Sequence, residues 1–426
     1  MTESGLKKMG REEADYIKYL FGRHISKGQV RYLRCAHLDT LERSRHGCFF
    51  VEPTLGEKFF DCFSSAGCFN VGRSNPEILK TLEESLDDYD MGSFQVLSVP
   101  KIDLARKLVS LCPGDLKRLV LCASGADAFA GAVKLAKGAT GRNDVISMNK
   151  AYHGHEGFSL SANGKDYYKH LFVPLMPGFH FVDFNDLEAV RRLASEKIAA
   201  IVLEPVQGEG GIHVARKDYI QGLRKICDEH GIMLIFDEVQ TGFCRTGKMW
   251  AMEHYGVTPD IMFTAKSISG GAYPNGAVVF REIEPLMSYV EENPFFHTSH
   301  AGGTDLGCIV SSKVIDFLVE NKVWENAARI GERFKEGLEQ LRQDNGDIIK
   351  EVRGLGLMIG MEYEYEFVGA LMAECLARQR VWAAYSGNAP QVMRFQIPIT
   401  ATMEEVEDLL RRIRSAMAAM RWYLVF

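Results

Sequence analysis

Short apolar runs alternate with amphipathic stretches between residues 117 and 280. The run IMLIF at 232–236 is continuously apolar, as in a strand that is buried on both faces. Stretches such as DAFAGAVKLAKGA and KDYIQGLRKICDEHG have helical spacing. Strands that alternate with helices predict an α/β fold with a mostly parallel sheet flanked by helices. The predicted strands lie at 117–124, 144–148, 178–184, 198–206, 232–239, 260–266 and 276–280.

The pattern changes near Ser311, where long amphipathic helices take over. Two short strand-like segments, GLGLMIGMEY and VMRFQIPI, lie between these helices. This predicts a second, smaller α+β domain. We expect residues 70–307 to form the large domain and residues 308–426 the small domain, with the N-terminal segment 1–69 joining the small domain.

The composition is that of an ordinary globular protein, with 46% hydrophobic and 25% charged residues. A net charge of −6 gives no basic surface for nucleic acid or for an anionic membrane, so we expect small-molecule partners. The ten cysteines include no close CxxC pair, which favours reduced thiols over a metal site. No apolar leader and no membrane-length apolar run is present, so we expect a cytoplasmic protein.

Small and aromatic residues follow two of the predicted strands. Ser124, Gly125 and Ala126 form a turn before a helix, which suits a phosphate because helix N-termini attract anions, although a simple helix cap explains it equally well. Tyr152 and His153 follow the next strand and suit either stacking on a flat ring or ordinary packing. The carboxyl ends of parallel strands share one edge, where ligands bind.

Three charged residues end further strands of the same predicted sheet: Glu204, Asp237 and Lys266. Alone, Glu204 fits a turn and Lys266 a solvated surface. A carboxylate at the end of a buried strand, however, needs a cationic partner. The combination is what pyridoxal 5'-phosphate (PLP) requires. Asp237 is then expected to pair with the protonated pyridine nitrogen, and Lys266 to hold the aldehyde as a Schiff base and move the substrate proton.

At these residues the sequence resembles the class III aminotransferases, the ω-amino acid:pyridoxal phosphate family of fold type I. The motifs are SGADAFAGAVKLAK, AYHGH, EPVQGEGGI and IFDEVQTGFCRTGK followed by PDIMFTAK. The resemblance covers about residues 60–398 and implies a PLP-dependent aminotransferase.

The resemblance also implies a role for each residue around the cofactor. Gly125 and Ala126 would give backbone N–H groups to the phosphate, with Ser124 helping. Tyr152 would cover one face of the ring, within the same motif as His153, and Val239 the other face.

Further implied roles concern the phenolic oxygen and the substrate. Gln240 would reach the phenolic oxygen of the cofactor. Arg394, in VMRFQIPIT, would hold the α-carboxylate of an amino acid bidentately. Glu204 would neutralise that arginine when an uncharged side chain enters instead.

The sequence departs from the family pattern at several positions. Asp127 and Ala130 stand where the family has glutamates. His300 stands where the family has a threonine that reaches the neighbouring subunit's phosphate, so His300, Ser299 or backbone alone is expected to make that contact. Thr304 stands where the family has asparagine, and the register does not support giving it the threonine's role.

The function implied is transfer of an amino group from an ω-amine or amino acid to an α-keto acid, by a ping-pong mechanism in a homodimer with active sites at the subunit interface. An aminomutase or an amino-acid racemase on the same scaffold is the alternative. A non-catalytic cofactor-binding protein is disfavoured by the presence of both Lys266 and Asp237. A nicotinamide dehydrogenase is disfavoured because GLGLMIG lacks the GxGxxG spacing.

Overall fold

The computed structural model describes residues 8–35, 38–93 and 95–424. The start of the N-terminal segment, residues 1–7, therefore lies outside the described residues. Helices, including one single turn at α3, are α1 Arg11–Phe21, α2 Lys27–Cys35, α3 Ser64–Gly67, α4 Pro76–Ser85, α5 Val99–Ser110, α6 Gly125–Thr140, α7 Gly157–Ala162, α8 Leu187–Leu193, α9 Lys217–His230, α10 Leu286–Glu292, α11 Asp305–Glu320, α12 Val323–Asp344, α13 Glu366–Arg378 and α14 Met403–Leu424.

Strands are β1 Ser44–His46, β2 Phe49–Glu52, β3 Glu57–Asp61, β4 Leu116–Cys122, β5 Asp144–Met148, β6 Phe179–Val182, β7 Ile198–Leu203, β8 Val206–Gln207, β9 His213–Val214, β10 Met233–Asp237, β11 Ile261–Thr264, β12 Gly276–Arg281, β13 Ile349–Leu355, β14 Met358–Tyr363, β15 Val381–Trp382, β16 Ala384–Ser386 and β17 Ala389–Phe395. A π-helical turn, Gly22–Ser26, joins α1 to α2. Single 3-10 turns lie at Asp166–Tyr168, Ala251–His254 and Lys266–Ser269.

A seven-stranded sheet forms the centre of the fold, in the order β4-β12-β11-β10-β7-β5-β6. Only β12 runs antiparallel to its two neighbours. The pairings of β10 with β11 and β7, and of β5 with β6 and β7, are parallel. The predicted α/β class and the seven predicted strands are therefore confirmed.

Both faces of this sheet are covered, which explains why its strands are continuously apolar. In β10, Leu234 and Phe236 join the core cluster that includes Leu223 of α9. Ile235 points to the other face and joins the cluster that includes Phe129 of α6. Every residue of β7 and β10 is buried.

The C-terminal part forms a four-stranded antiparallel sheet in the order β13-β14-β17-β16. The helices α12, α13 and α14 contact it or one another. A third sheet has the order β1-β2-β3-β15, and in it Phe60 of β3 lies opposite Val381 of β15. The N-terminal segment thus pairs with a C-terminal strand, while the exact domain bounds stay a prediction.

A left-handed turn, α3, connects the N-terminal segment to the site. Its residues have φ between +49° at Ser64 and +84° at Gly67, a conformation that costs roughly 1–2 kcal/mol for each non-glycine residue. Neighbours hold it in place: the Gly67 carbonyl accepts hydrogen bonds from Ser267 Oγ at 2.8 Å and from Arg245 Nη2 at 3.4 Å. The turn is therefore fixed to the residue that follows Lys266.

Among the residues that the structure describes, no helix combines the length and the apolar character that crossing a membrane requires.

Candidate active site

A cavity of about 580 Å³ opens at the carboxyl ends of the central strands. Its volume is in the usual range for a small-molecule site. The predicted residues that line it are Ser124, Gly125, Ala126, Tyr152, His153, Glu204, Asp237, Val239, Gln240 and Lys266. His300 and Arg394 are not among its lining residues. Side chains from five separate strand ends therefore meet in one place, as the parallel topology predicts.

Lys266 begins a 3-10 turn directly after β11 and has φ of +47°, in the left-handed region. Such strain in a non-glycine residue is typical of functional sites. Desolvation lowers the pKa of the Lys266 amine, while the charges of Glu209 and Asp237 oppose that shift. A larger fraction of the amine is therefore neutral, and nucleophilic, than in an exposed lysine.

Asp237, at the end of β10, is held from the side by His153. His153 Nδ1 lies 2.7 Å from Asp237 Oδ2, and both side chains are buried. Asp237 Oδ1 accepts a hydrogen bond from the Val239 N–H at 3.0 Å. The imidazole stacks on Phe129, with centroids 4.8 Å apart. His153 therefore orients the Asp237 carboxylate, a contact that the sequence motif did not reveal.

Glu238, the second member of the acidic pair, points away from the cavity lining and anchors a turn. Its carboxylate accepts hydrogen bonds from Thr241 Oγ1 at 2.5 Å and from the N–H groups of Ala251 and Met252 at 3.1 and 2.9 Å. Burial raises the pKa of Glu238 to about 7. Glu238 therefore holds the chain after β10 in place and does not line the cavity.

The predicted pairing of Glu204 with Arg394 is wrong. The Glu204 carboxylate accepts hydrogen bonds from the N–H groups of Tyr152 at 3.2 Å and Gly208 at 2.8 Å. Burial, with the nearby charge of Asp237, raises the pKa of Glu204. Because both carboxylate oxygens bond to backbone, Glu204 fixes the positions of Tyr152 and of the loop after β8.

Glu209, in that loop, is the carboxylate that pairs with Arg394. Arg394 Nη1 lies 2.5 Å from Glu209 Oε1, and Glu209 Oε2 accepts a hydrogen bond from the Gly387 N–H at 2.9 Å. Burial acts to raise the pKa of Glu209, but Arg394 and the Gly387 N–H outweigh it, and the pKa is lowered. The motif EPVQGEGG contains both glutamates, and Glu209 is the one that faces the small domain.

Arg394 is buried on β17, and its guanidinium lies 5.1 Å from the centre of the Phe63 ring. Its Nε has no hydrogen-bond partner among the described residues. A buried guanidinium with spare donor capacity can accept a second anionic group.

Gln240 connects the large domain to the end of β17, because its Oε1 accepts a hydrogen bond from Gln396 Nε2 at 3.0 Å. Val239 lies against the turn formed by Ser124, Gly125 and Ala126, the predicted phosphate turn. A Cβ added at Gly125 would be 3.3 Å from Val239 Cγ1. These residues line the cavity as predicted, whereas their contacts with a cofactor stay predictions.

The turn at Ser124 opens α6. Ser124 Oγ accepts a hydrogen bond from the Asp127 N–H at 3.2 Å, so the helix-cap interpretation and the phosphate interpretation apply to the same residue. Gly154, with φ of +131°, lets the chain after His153 approach this turn; a Cβ there would lie 2.7 Å from Cβ of Ala126. The N-terminal N–H groups of α6 and its dipole favour an anion at this end.

His300 is exposed, in the segment that leads into α11. Thr304 caps α11 by accepting a hydrogen bond from the Gly307 N–H at 3.2 Å, so its hydroxyl is engaged within its own chain. The predicted contact of His300 with a neighbouring subunit stays a prediction.

A lysine with a lowered pKa, an anchored aspartate, an aromatic side chain and a helix N-terminus converge at one sheet edge, and this arrangement fits PLP. The fold and the site thus define a PLP-dependent transferase of fold type I. The chain belongs to the class III aminotransferases: the family model described as aminotransferase class-III matches residues 37–417. It is therefore a PLP-dependent aminotransferase.

Individual relatives agree with this assignment. An aminotransferase described as uncharacterized, from Archaeoglobus fulgidus, is 38% identical over 408 residues, which cover 96% of this chain and 95% of the relative. An (S)-enantioselective omega-transaminase from Thermomicrobium roseum has a TM-score of 0.86 at 26% identity, covering 97% of this chain and 99% of that one. The ornithine aminotransferase from Toxoplasma gondii, described with PLP at its active site, has a TM-score of 0.84 at 25% identity, covering 96% and 99%.

Proposed function

We propose that the protein moves an amino group from an ω-amine or an amino acid to an α-keto acid such as 2-oxoglutarate or pyruvate. Both substrates use one cavity in turn, so the kinetics are ping-pong. The observation that carries the proposal is the Glu209–Arg394 ion pair next to the cavity, in which Arg394 is buried and Glu209 is partly buried. Glu209 also acts electrostatically on Lys266 and on Tyr152, both of which line the cavity.

The ion pair gives one pocket two states. When a keto acid or amino acid enters, its carboxylate takes the place of Glu209 on the guanidinium of Arg394. When a donor end without a carboxylate enters, Glu209 keeps Arg394 neutralised, which avoids an unpaired buried charge. Two of the structural relatives, named as an ornithine aminotransferase and an omega-transaminase, support a donor of this kind.

PLP, when bound, supplies an electron sink for the electrons released as a proton leaves the substrate. Lys266 would anchor the cofactor and then take and return that proton. Asp237, oriented by His153, would pair with the ring nitrogen. The turn at Ser124, Gly125 and Ala126 would hold the phosphate.

Tyr152 and Val239 would cover the two faces of the ring, and Gln240 would reach the phenolic oxygen. These placements follow from the family motifs together with the shared cavity lining.

The test compares Arg394→Ala and Glu209→Gln with a matched control, Arg333→Ala. Arg333 pairs with Glu407 at 2.6 Å between α12 and α14, and neither residue lines the cavity. Each holoenzyme is given 2-oxoglutarate, pyruvate and a panel of ω-amines, with products identified by mass spectrometry.

We expect Arg394→Ala to raise the KM for keto acids at least about 30-fold, because losing a desolvated carboxylate contact costs on the order of 2–5 kcal/mol. Glu209→Gln is expected to weaken donors that lack a carboxylate near Arg394 and to spare keto acids. The control is expected to match wild type. Unchanged keto-acid kinetics in Arg394→Ala would refute the carboxylate clamp.

A product that keeps the donor's own amino group would instead identify an aminomutase or a racemase. The same product analysis separates the two functions, since only an aminotransferase consumes a keto acid.

We also propose a symmetric homodimer. Large apolar side chains are exposed in two segments, residues 97–102 and the residues just before His300. Leu97 is 96% exposed, and Val99 and Phe295 are each 70% exposed. Ile102 and Phe295 line one surface cleft together with Ser299. A second copy of the chain would cover this surface and bring His300 towards the neighbouring cofactor. Sedimentation equilibrium tests the assembly, and His300→Ala is expected to release PLP faster only if the dimer forms.

A further inference from the structure

Behind the turn at Ser124, Gly125 and Ala126 lies a partly buried group of polar side chains that the proposed reaction does not use. It comprises Asp127 and Lys134 of α6 together with His297, a residue 170 positions beyond Asp127 in the sequence. His297 is only 7% exposed. His297 Nε2 lies 3.1 Å from Asp127 Oδ1, an electrostatic contact outside hydrogen-bond geometry, and His297 Nδ1 lies 3.3 Å from Lys134 Nζ.

Asp127 joins this group to the turn itself. Its Oδ2 accepts a hydrogen bond from the Ala123 N–H at 2.8 Å, and its own N–H donates to Ser124 Oγ at 3.2 Å. The two bonds close the turn on both sides of Ser124. Although burial acts to raise the pKa of Asp127, the contact with His297 and the Ala123 N–H lower it, so the carboxylate is ionised.

The helix is shaped to receive the imidazole. A Cβ at Gly131 would lie 2.9 Å from His297 Cδ2 and 3.2 Å from its Nε2, closer than carbon atoms pack. Asp127, Gly131 and Lys134 follow helical spacing, so they present a carboxylate, a gap and an ammonium on one face. His297 fills the gap between the two charges.

Segment 297–303, which contains His300, packs against the end of β4. A Cβ at Gly303 would lie 2.6 Å from the Leu121 side chain, and one at Gly302 would lie 3.0 Å from the Leu121 carbonyl oxygen. His297 is thus the polar link between this segment and the phosphate turn.

A bound metal is a different explanation, since Cys122, Asp127 and His297 offer ligand atoms within 4.8 Å of one another. Lys134 argues against it. An ammonium only donates, so Nδ1 accepts and the imidazole proton sits on Nε2, facing Asp127. Nε2 is then not a free ligand. Burial also raises the pKa of the Cys122 thiol, which disfavours the thiolate that a metal needs.

We propose that His297 is a positioning residue for the cofactor's phosphate: through Asp127 it fixes the phosphate turn, and it ties that turn to segment 297–303. This rests on the proposed function in one respect, namely that the turn at Ser124 binds the phosphate. Loss of His297 is therefore expected to weaken binding of the phosphate and to leave binding of the ring and aldehyde unchanged.

The experiment compares PLP with pyridoxal, which has the same ring and aldehyde but no phosphate. Full-length apoenzyme is titrated with each compound, and PLP release from the holoenzyme is timed. The variants are His297→Leu, which keeps the bulk, and His297→Gln, whose Nε2 can still donate to Asp127. Asp186→Ala is the matched control, because Asp186 caps α8 through the Ala189 N–H at 2.9 Å and does not line the cavity.

We expect His297→Leu to weaken PLP about 10-fold, the order of one close polar contact with a charged group, and to change pyridoxal binding by less than about 2-fold. His297→Gln is expected to restore PLP binding to within about 3-fold of wild type. The double variant His297→Leu/Asp127→Asn is expected to bind PLP as tightly as the single variant with the lower PLP affinity, because the histidine acts through the carboxylate.

Equal losses for PLP and pyridoxal in His297→Leu, or no loss for PLP, would overturn the proposal. Stoichiometric zinc in the holoenzyme that disappears in His297→Leu would overturn it as well. Ser124→Ala separates a failure of the inference about His297 from a failure of the proposed phosphate site. If it shifts the ratio of PLP to pyridoxal affinity and His297→Leu does not, the inference about His297 alone fails. If neither shifts the ratio, the turn is not the phosphate site.

Discussion

Replacing His153 with phenylalanine tests how the site orients its central carboxylate. Phenylalanine keeps the ring that stacks on Phe129 but removes the donor 2.7 Å from Asp237 Oδ2. Asp237 is only 4% exposed, so water cannot easily replace that donor. A hydrogen bond to a buried charged group contributes about 1.5–3 kcal/mol, and we expect the free energy of unfolding of the apoenzyme to fall by that amount.

The assay is urea unfolding of wild type, His153→Phe, Asp237→Asn and the double variant. A coupling energy of about 1.5–3 kcal/mol is expected in the double-mutant cycle. If the same free energy is lost from the transition state, the single-turnover rate falls about 10- to 150-fold. His254→Phe is the control, because His254 Nε2 lies 3.1 Å from the Thr246 carbonyl and the side chain does not line the cavity. Additive effects of His153→Phe and Asp237→Asn would refute the reasoning.

Three further outcomes are expected. Lys266→Ala should abolish turnover by at least about 1000-fold with unchanged circular dichroism, and near-normal transamination would disprove its role. Burial raises the pKa of Glu238 to about 7 in the folded state, so the stability this protonated carboxyl provides is present at low pH and is lost as the pH rises through about 7. The deficit of Glu238→Gln in urea should therefore shrink from about pH 5.5 to about pH 8.5, and a constant deficit contradicts the assignment. Gly154→Val should speed PLP release, because a Cβ there would be 2.7 Å from Cβ of Ala126. An unchanged release rate would show that the turn can shift to accommodate the side chain and would contradict this prediction.

The sequence predicted the parts of this protein that depend on local pattern. The run 232–236 is apolar without interruption because β10 is buried on both faces, and Asp237 marks its end. Lys266 and Glu204 also follow strands directly, so a parallel topology was enough to bring them together.

Contacts between distant segments could not be predicted in the same way. The motif EPVQGEGG places two glutamates five positions apart, and only the packing of the small domain decides that Glu209 meets Arg394. The contacts of His153 with Asp237 and of His297 with Asp127 likewise join segments far apart in the chain. Neither has a periodic signal, because each depends on how helices and loops that are distant in sequence pack against one another.

The hydrogen bonds made just after Arg394 in the chain have a consequence for the timing of the proposed exchange of substrates. Gln396 is bonded to Gln240, and the carbonyl of Ile397 accepts a hydrogen bond from Arg245, so the backbone beyond Arg394 is held to the large domain. If a substrate carboxylate replaces Glu209 on Arg394 as proposed, a change of side-chain rotamer would then be enough, without separation of the two domains. Rotamer changes are far faster than hinge motions, which take microseconds to milliseconds. Alternation between the two kinds of substrate would therefore not limit the turnover rate.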